Sequence, residues 1–91
     1  MEMNETAREW YQLWDDTLNV VWKLLEANLS EAEMEALRKE ERAWIASKDA
    51  QVQAAGQENE GGSIQPLIEF TTAAELTKIR VYELAEYAKG R

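Results

Sequence analysis

The chain has no cysteine and no histidine, and these two absences remove much of the common catalytic and metal-binding chemistry. Without cysteine there is neither a disulfide framework nor a thiolate nucleophile. Without histidine the usual metal ligand and the usual neutral-pH base are both missing. A glycine-rich phosphate cradle is absent as well. We therefore expect no catalytic residues, no cofactor and no metal site, and the sequence does not indicate an enzyme.

Long apolar runs are also absent, because no stretch approaches the roughly 18 apolar residues that a membrane span requires. The amino-terminal segment Met1-Glu2-Met3 has none of the features of a signal peptide. The sequence is compatible with a cytosolic protein and equally with an exported protein whose signal has been removed.

Basic residues are scarce relative to acidic ones, with 10 Lys and Arg against 18 Asp and Glu and a formal net charge of −8. Such a surface repels phosphate backbones and anionic membranes. Nucleic acid is therefore a poor candidate partner, whereas a cationic protein is a reasonable one. The 91 residues suffice for one hydrophobic core, so we expect a single domain spanning residues 1–91.

Proline occurs once and glycine four times, and three of the glycines fall within the segment GQENEGGS at residues 56–63. The rest of the chain contains almost no residue that would interrupt a helix. Ser30 followed by Glu33 has the spacing of a capping box, which predicts that one helix ends and another begins there. The sequence thus predicts an all-α fold, an antiparallel bundle of three long helices at about 3–28, 31–55 and 64–88.

Apolar residues recur at helical spacing in each predicted helix, so each should have an inward stripe. In the first helix two adjoining stripes indicate contact with two neighbours. The two stripes of the first helix consist of Trp10, Trp14, Val21 and Leu25, and of Tyr11, Leu18, Trp22 and Leu29 beside them. The stripe of the second helix consists of Leu37, Trp44, Ile45 and Val52. The stripe of the third consists of Leu67, Ile68, Leu76, Ile79 and Leu84.

Two polar features on the first helix each have a structural and a more specific interpretation. Asp15 and Asp16 interrupt the apolar surface, either as a solvated edge or as a carboxylate that accepts a hydrogen bond from an indole or guanidinium on a neighbouring helix. Among the four tryptophans, Trp22 and Trp44 fit the core better than a binding surface. Trp10, near the amino end, fits either role.

Four segments are similar in order and spacing to a known family. They are DDTLNVVWKLL at 15–25, LRKEERAWIASKD at 37–49, GGSIQPLI at 61–68 and ELTKIRVYEL at 75–84. Together they resemble the LprI-type lysozyme-inhibitor family of small bacterial exported proteins and lipoproteins. The positions that match the family's motifs are Leu18, Asn19, Trp22, Arg42, Ala43, Trp44, Ile45, Asp49, Gly61, Gly62, Ser63, Thr77, Arg80 and Leu84.

The resemblance implies an extracellular or cell-envelope protein that binds and blocks a lysozyme-type peptidoglycan hydrolase, with a lipid anchor upstream of this chain as one route of attachment. Because such hydrolases are generally cationic, the acidic turn residues Glu58 and Glu60 become candidate contacts together with Trp10. Their simpler interpretation is as solvated loop residues. The alternative function is a non-catalytic structural or interaction domain that self-associates through apolar surface left on the first helix.

The chain departs from the family pattern at several positions. Glu41 stands where the family usually has Gln, and Lys48 where it usually has Arg. Many relatives carry cysteines that would fall at Val52 and Thr72. If those cysteines bond, the resemblance implies that positions 52 and 72 are neighbours in a helical hairpin centred on Gly62.

This register makes specific expectations for the second and third helices. Trp44 and Ile45 should face Ile79 and Arg80, and Arg80 should lie within one turn of Glu41. Arg80 then either forms a structural pair, with Glu41 or Asp49, or offers its guanidinium to a partner.

Overall fold

The computed structural model describes residues 2–58, 62 and 64–89, and the side chains of all of these except residues 2–5 and 88. Three helices make up nearly all of this part: α1 (Glu2–Asn28), α2 (Glu31–Gln57) and α3 (Gln65–Lys89). The prediction of an all-α fold with three long helices is confirmed, with boundaries that differ by one or two residues. The molecule is elongated, measuring 46 × 22 × 15 Å. Over the described residues, none of these helices is long and apolar enough to cross a membrane.

The predicted capping box lies at the junction of α1 and α2. The Ser30 hydroxyl oxygen accepts a hydrogen bond from the Glu33 backbone N–H at 3.2 Å, and the Glu33 carboxylate accepts one from the Ser30 N–H at 3.0 Å. Ser30 itself has an extended backbone, with φ −69° and ψ 161°. Only Leu29 and Ser30 separate the two helices, so the chain reverses direction within two residues.

At its other end α2 continues through Gly56 instead of stopping at Ala55 as predicted. Gly56 is buried beneath the side chain of Glu69 from α3. A Cβ atom at this position would lie 2.7 Å from Glu69 Cγ, well inside contact distance. The glycine therefore permits a close approach of α2 and α3 without ending the helix.

The hydrophobic core combines the second half of α1, the first half of α2 and the second half of α3. This grouping requires α2 to run antiparallel to the other two helices. The buried members of the core are Leu18, Leu25, Met34, Leu37, Val81 and Leu84. Six partly buried side chains pack against them: Trp14, Val21, Trp22, Leu29, Trp44 and Tyr87.

The inner face of α3, which packs against both α1 and α2, is formed largely by small residues. Ala73, Ala74 and Thr77 are all buried there, and small side chains let neighbouring helices approach closely. The prediction that Ile79 belongs to the inward stripe is wrong, because its side chain is 52% exposed. Since successive residues rotate by about 100°, Ile79 lies about 200° from the fully buried Thr77 and points away from the core.

Candidate functional site

Arg80 and Glu41 form an ion pair in the interface between α2 and α3. Arg80 Nε donates to Glu41 Oε1 at 2.8 Å, and the side chains of both residues are nearly buried. A second bond runs from Arg80 Nη1 to the more exposed Glu83 at 3.2 Å, and the guanidinium lies 5.9 Å from the centre of the Trp44 ring. The predicted pairing of Arg80 with Glu41 is confirmed. Arg80 is only 8% exposed, which favours the structural interpretation over a guanidinium offered to a partner.

Other contacts agree with the register that the resemblance implied. Gly56 lies against Glu69, and Val52 lines a cavity together with Phe70 and Ala73. These positions pair around residue 62, as a hairpin of α2 and α3 requires. That Val52 and Thr72 lie next to each other stays a prediction.

Lys48 connects α2 to α1 through the side chain of Tyr11 and also lies beside the ring of Trp44 in its own helix. Its ammonium donates to the Tyr11 hydroxyl oxygen at 3.2 Å and lies 5.4 Å from the Tyr11 ring centre and 5.3 Å from that of Trp44. The nearest carboxylate oxygen, on Asp49, is 3.9 Å away. The Lys48 side chain is only 12% exposed, and its charge is stabilised by cation–π attraction to the two rings together with the hydrogen bond to Tyr11 and the ion pair with Asp49.

A groove of about 280 Å³ opens between α1 and α2 beside this lysine. Each helix contributes residues about one turn apart, at spacings of three, four and seven, because those positions share a helix face. We refer to it as the α1–α2 groove. It is lined by Asp15, Leu18, Asn19 and Trp22 from α1 and by Glu41, Trp44, Ile45 and Lys48 from α2.

The two adjacent aspartates of α1 have different surroundings. Asp16 is exposed and accepts a hydrogen bond from Gln12 at 3.0 Å, which fits the solvated-edge interpretation. Asp15 is half-buried in the groove, and none of the described residues forms a hydrogen bond or ion pair with it. The alternative in which an indole or guanidinium donates to these carboxylates is thus not what the described structure shows.

Ile45 also differs from its predicted position. It was expected on the inward stripe of α2 facing Ile79, yet it is 42% exposed and lines the groove on the side of α1. Its neighbour Trp44, one residue and about 100° away, takes the position over Arg80. Because of this difference in direction, Trp44 reaches both Arg80 and the groove, whereas Ile45 lies on the side of α1.

A second cavity of about 330 Å³ lies on the other side of Lys48, which lines both spaces. The Tyr11 and Phe70 rings approach each other there, with centroids 6.4 Å apart. Its walls come from all three helices: Tyr11, Lys48, Asp49, Val52, Gln53, Glu69, Phe70 and Ala73.

The residues that the sequence analysis named as partner contacts are not gathered at one place. Glu58 is exposed at the carboxyl end of α2, and Trp10 is half-buried on α1. Neither lines the groove or the second cavity. Glu60 lies outside the described residues, as do Gly61 and Ser63 of the family motif.

The other family-motif positions fall into three groups. Leu18, Thr77, Arg80 and Leu84 are buried, and Trp22, Trp44, Ile45 and Asn19 line the groove together with Leu18. Arg42, Ala43, Asp49 and Gly62 are exposed. Five of the eight motif positions in the first two segments thus line the groove.

Sequence reasoning missed the groove, although a signal for it was present. Asp15, Asn19 and Trp22 follow the i, i+4, i+7 spacing of one helix face, and Glu41, Trp44 and Lys48 follow i, i+3, i+7. Polar and aromatic residues mixed on such a face indicate a partly open contact between helices. In the part of the chain that the structure describes, no group of three or more carboxylates is placed to hold a metal ion.

Comparison with known proteins identifies the family. The sequence profile described as lysozyme inhibitor LprI matches residues 1–84. The chain belongs to the LprI family. An uncharacterized protein of Rhizobium meliloti (strain 1021) is 34% identical over 99 aligned residues, which cover 94% of this chain and 71% of that protein. No solved structure matches the chain. The description of this family names the inhibition of lysozyme and no catalytic activity. Membership therefore supports the general class of lysozyme inhibitor and does not point to an enzyme.

Proposed function

We propose that this protein binds and blocks a lysozyme-type peptidoglycan hydrolase outside the cell or in the cell envelope. The observation that carries the proposal is the LprI family match over residues 1–84. The net charge of −8 supports it, because an acidic protein attracts a cationic enzyme and complementary charge speeds association. The acidic residues Glu58 and Glu60 and, at a separate place, Trp10 are proposed contributors to the contact.

A muramidase assay tests this function directly. The lysis of peptidoglycan by several lysozyme types is measured with increasing amounts of the protein, at low and at moderate salt. We expect inhibition that weakens as salt rises, since screening shortens the reach of charge to about 10 Å at 0.1 M. Undiminished lysis at a large molar excess, for every lysozyme type tried, would contradict the proposal.

A second candidate function is a structural domain that self-associates through α1. The outer face of α1 carries three exposed apolar side chains, Leu13, Val20 and Leu24, at 61, 60 and 56% exposure. They recur at intervals of seven and four residues and so form one stripe. The hydroxyl of Thr17, which lies between them, donates to the Leu13 carbonyl at 2.8 Å.

Sedimentation over a wide range of protein concentration distinguishes this candidate. If the stripe pairs two copies, the wild type forms a dimer at high concentration and a Val20→Lys variant stays monomeric. A strictly monomeric wild type would remove the support for self-association.

A further inference from the structure

We infer that the α1–α2 groove receives one lysine or arginine side chain of the bound hydrolase, an inference that rests on the proposed function. The size of the groove fits such an occupant. At about 280 Å³ it lies at the small end of pockets that hold drug-sized ligands, roughly 300–1,000 Å³. It suits one inserted side chain better than a cofactor or a sugar chain.

The charges in the groove favour a cation. Asp15 is half-buried and has no partner among the described residues. Glu41 also lines the groove, and the one bond described for it, from Arg80, uses Oε1 alone. A donor that carries positive charge would form a charge-assisted hydrogen bond with such a carboxylate, and these bonds are stronger than bonds between neutral groups.

The aromatic walls favour the same occupant. Trp44 already has two cations near its ring, Lys48 at 5.3 Å and Arg80 at 5.9 Å. Trp22 lines the same groove, and no cation of the described residues lies over its ring. An ammonium or guanidinium that enters beside Asp15 would therefore meet a carboxylate and a free indole face together.

An anion is the less suitable occupant. Among the described residues Lys48 is the only cation that lines the groove, and its ammonium is already engaged with the Tyr11 hydroxyl and two aromatic rings. Two carboxylates line the same space. Of these two carboxylates, Glu41 accepts a hydrogen bond from Arg80, whereas Asp15 has no hydrogen bond or ion pair with any described residue.

The first test uses two neighbouring residues that change the net charge equally. The affinity for a lysozyme that the wild type inhibits is measured for Asp15→Asn and Asp16→Asn. We expect Asp15→Asn to weaken binding about tenfold or more, because it removes one charged partner of a partly buried bond. Asp16→Asn should change it about twofold or less, since only long-range attraction is altered. Equal effects of the two substitutions would overturn the groove as the contact while leaving the inhibitor function intact.

The second test does not require a hydrolase. The four tryptophan indole N–H signals are followed by NMR while N-acetyl-arginine amide is added, with N-acetyl-citrulline amide as the neutral isostere and N-acetyl-glutamate amide as the anion. We expect arginine amide alone to shift the Trp22 and Trp44 signals, with Trp10 unaffected. Asp15→Asn should abolish these shifts and Asp16→Asn should retain them.

The two tests separate the two proposals. If no lysozyme is inhibited but arginine amide shifts Trp22 and Trp44 through Asp15, the inhibitor function is wrong and the groove remains a cation subsite. If the neutral or anionic amide shifts these signals equally, or if no amide does, the assignment of a cationic occupant is overturned. This holds whether or not the protein inhibits lysozyme.

Discussion

Arg80 depends on Glu41 because little of either side chain reaches water. The Arg80 and Glu41 side chains are 10 and 13% exposed, whereas Glu83, the other acceptor, is 56% exposed. Removal of Glu41 would leave a buried guanidinium with one weak partner. We expect Glu41→Ala to lower the free energy of unfolding by about 2–4 kcal/mol. Glu41→Gln, which restores the usual family residue, should cost less because the amide oxygen can still accept the Nε–H bond.

Urea-induced unfolding measures these differences, and Glu86→Ala is the matched control. Glu86 pairs with Lys89 at 3.8 Å with both side chains more than 70% exposed, so its loss should change stability by about 0.5 kcal/mol or less. Equal losses in the free energy of unfolding for Glu41→Ala and Glu86→Ala would show that the buried pair stabilises the fold no more than an exposed pair does.

The ion pair of Arg38 with Glu31 is another exposed pair, in contrast to the buried pair of Arg80 with Glu41. The hydrogen bond from Arg38 to Glu31 raises the pKa of the guanidinium above its usual value. Stability from a raised pKa is present below that pKa and lost only as pH rises through it. The Arg38 guanidinium therefore stays charged at any ordinary pH, and its raised pKa gives the fold no pH dependence there.

Thr77 is a second residue whose effect on the free energy of unfolding can be tested. It is fully buried, and its hydroxyl oxygen has no hydrogen-bond partner among the described residues. Thr77→Val keeps the shape and removes the unsatisfied hydroxyl, so we expect the free energy of unfolding to rise by about 1 kcal/mol. The melting temperature checks this, and a loss of stability would show that the hydroxyl does form a bond in solution.

At the scale of the helices, the sequence was sufficient where the signal was local. The capping box at Ser30 and Glu33 and the glycine-poor stretches predicted the helix boundaries to within two residues. Gly56 misled the prediction, because its role is set by Glu69, thirteen residues away in another helix. Ile45 and Ile79 were placed inside because apolar periodicity shows which residues share a face, whereas the exact rotation of each helix depends on its neighbours.

The register of α2 against α3 leads to a prediction about Val52 and Thr72. Both are half-buried, and the contacts of Glu41 with Arg80 and of Gly56 with Glu69 bracket them. A Val52→Cys, Thr72→Cys double variant should oxidise spontaneously. The bond would close a loop of about 20 residues and stabilise the fold by roughly 3 kcal/mol, less any strain.

The melting temperature of the double variant is compared with and without reductant, with Val52→Cys alone as the control. A folded double variant that does not oxidise would show that positions 52 and 72 are not neighbours. The Arg80–Glu41 pair would still stand, because the structure shows it independently.

At the scale of the whole molecule, the width of the groove could not be predicted, because it depends on how all three helices pack together, although the helical spacing of its lining residues is visible in the sequence. α3, with its narrow face of Ala73, Ala74 and Thr77, packs closely against both partners. α1 and α2 touch each other much less, and the space left between them is the groove. No pattern within α1 or α2 alone determines that separation, although the resemblance drew attention to several of the residues that line it.

The uneven placement of the core has a consequence for local opening. Large buried side chains collect near the Ser30 junction, whereas the half of the bundle near Gly62 contains small buried residues and the cavity beside Phe70. Amide hydrogens should therefore exchange with solvent more slowly at residues 18–26, 34–41 and 77–85 than at residues 8–14, 48–55 and 67–73. Native-state hydrogen exchange measures this, and equal protection of both halves would contradict it. The groove lies where the two halves meet, so one of its ends is fixed by the slowly exchanging core and the other can adjust without unfolding the molecule.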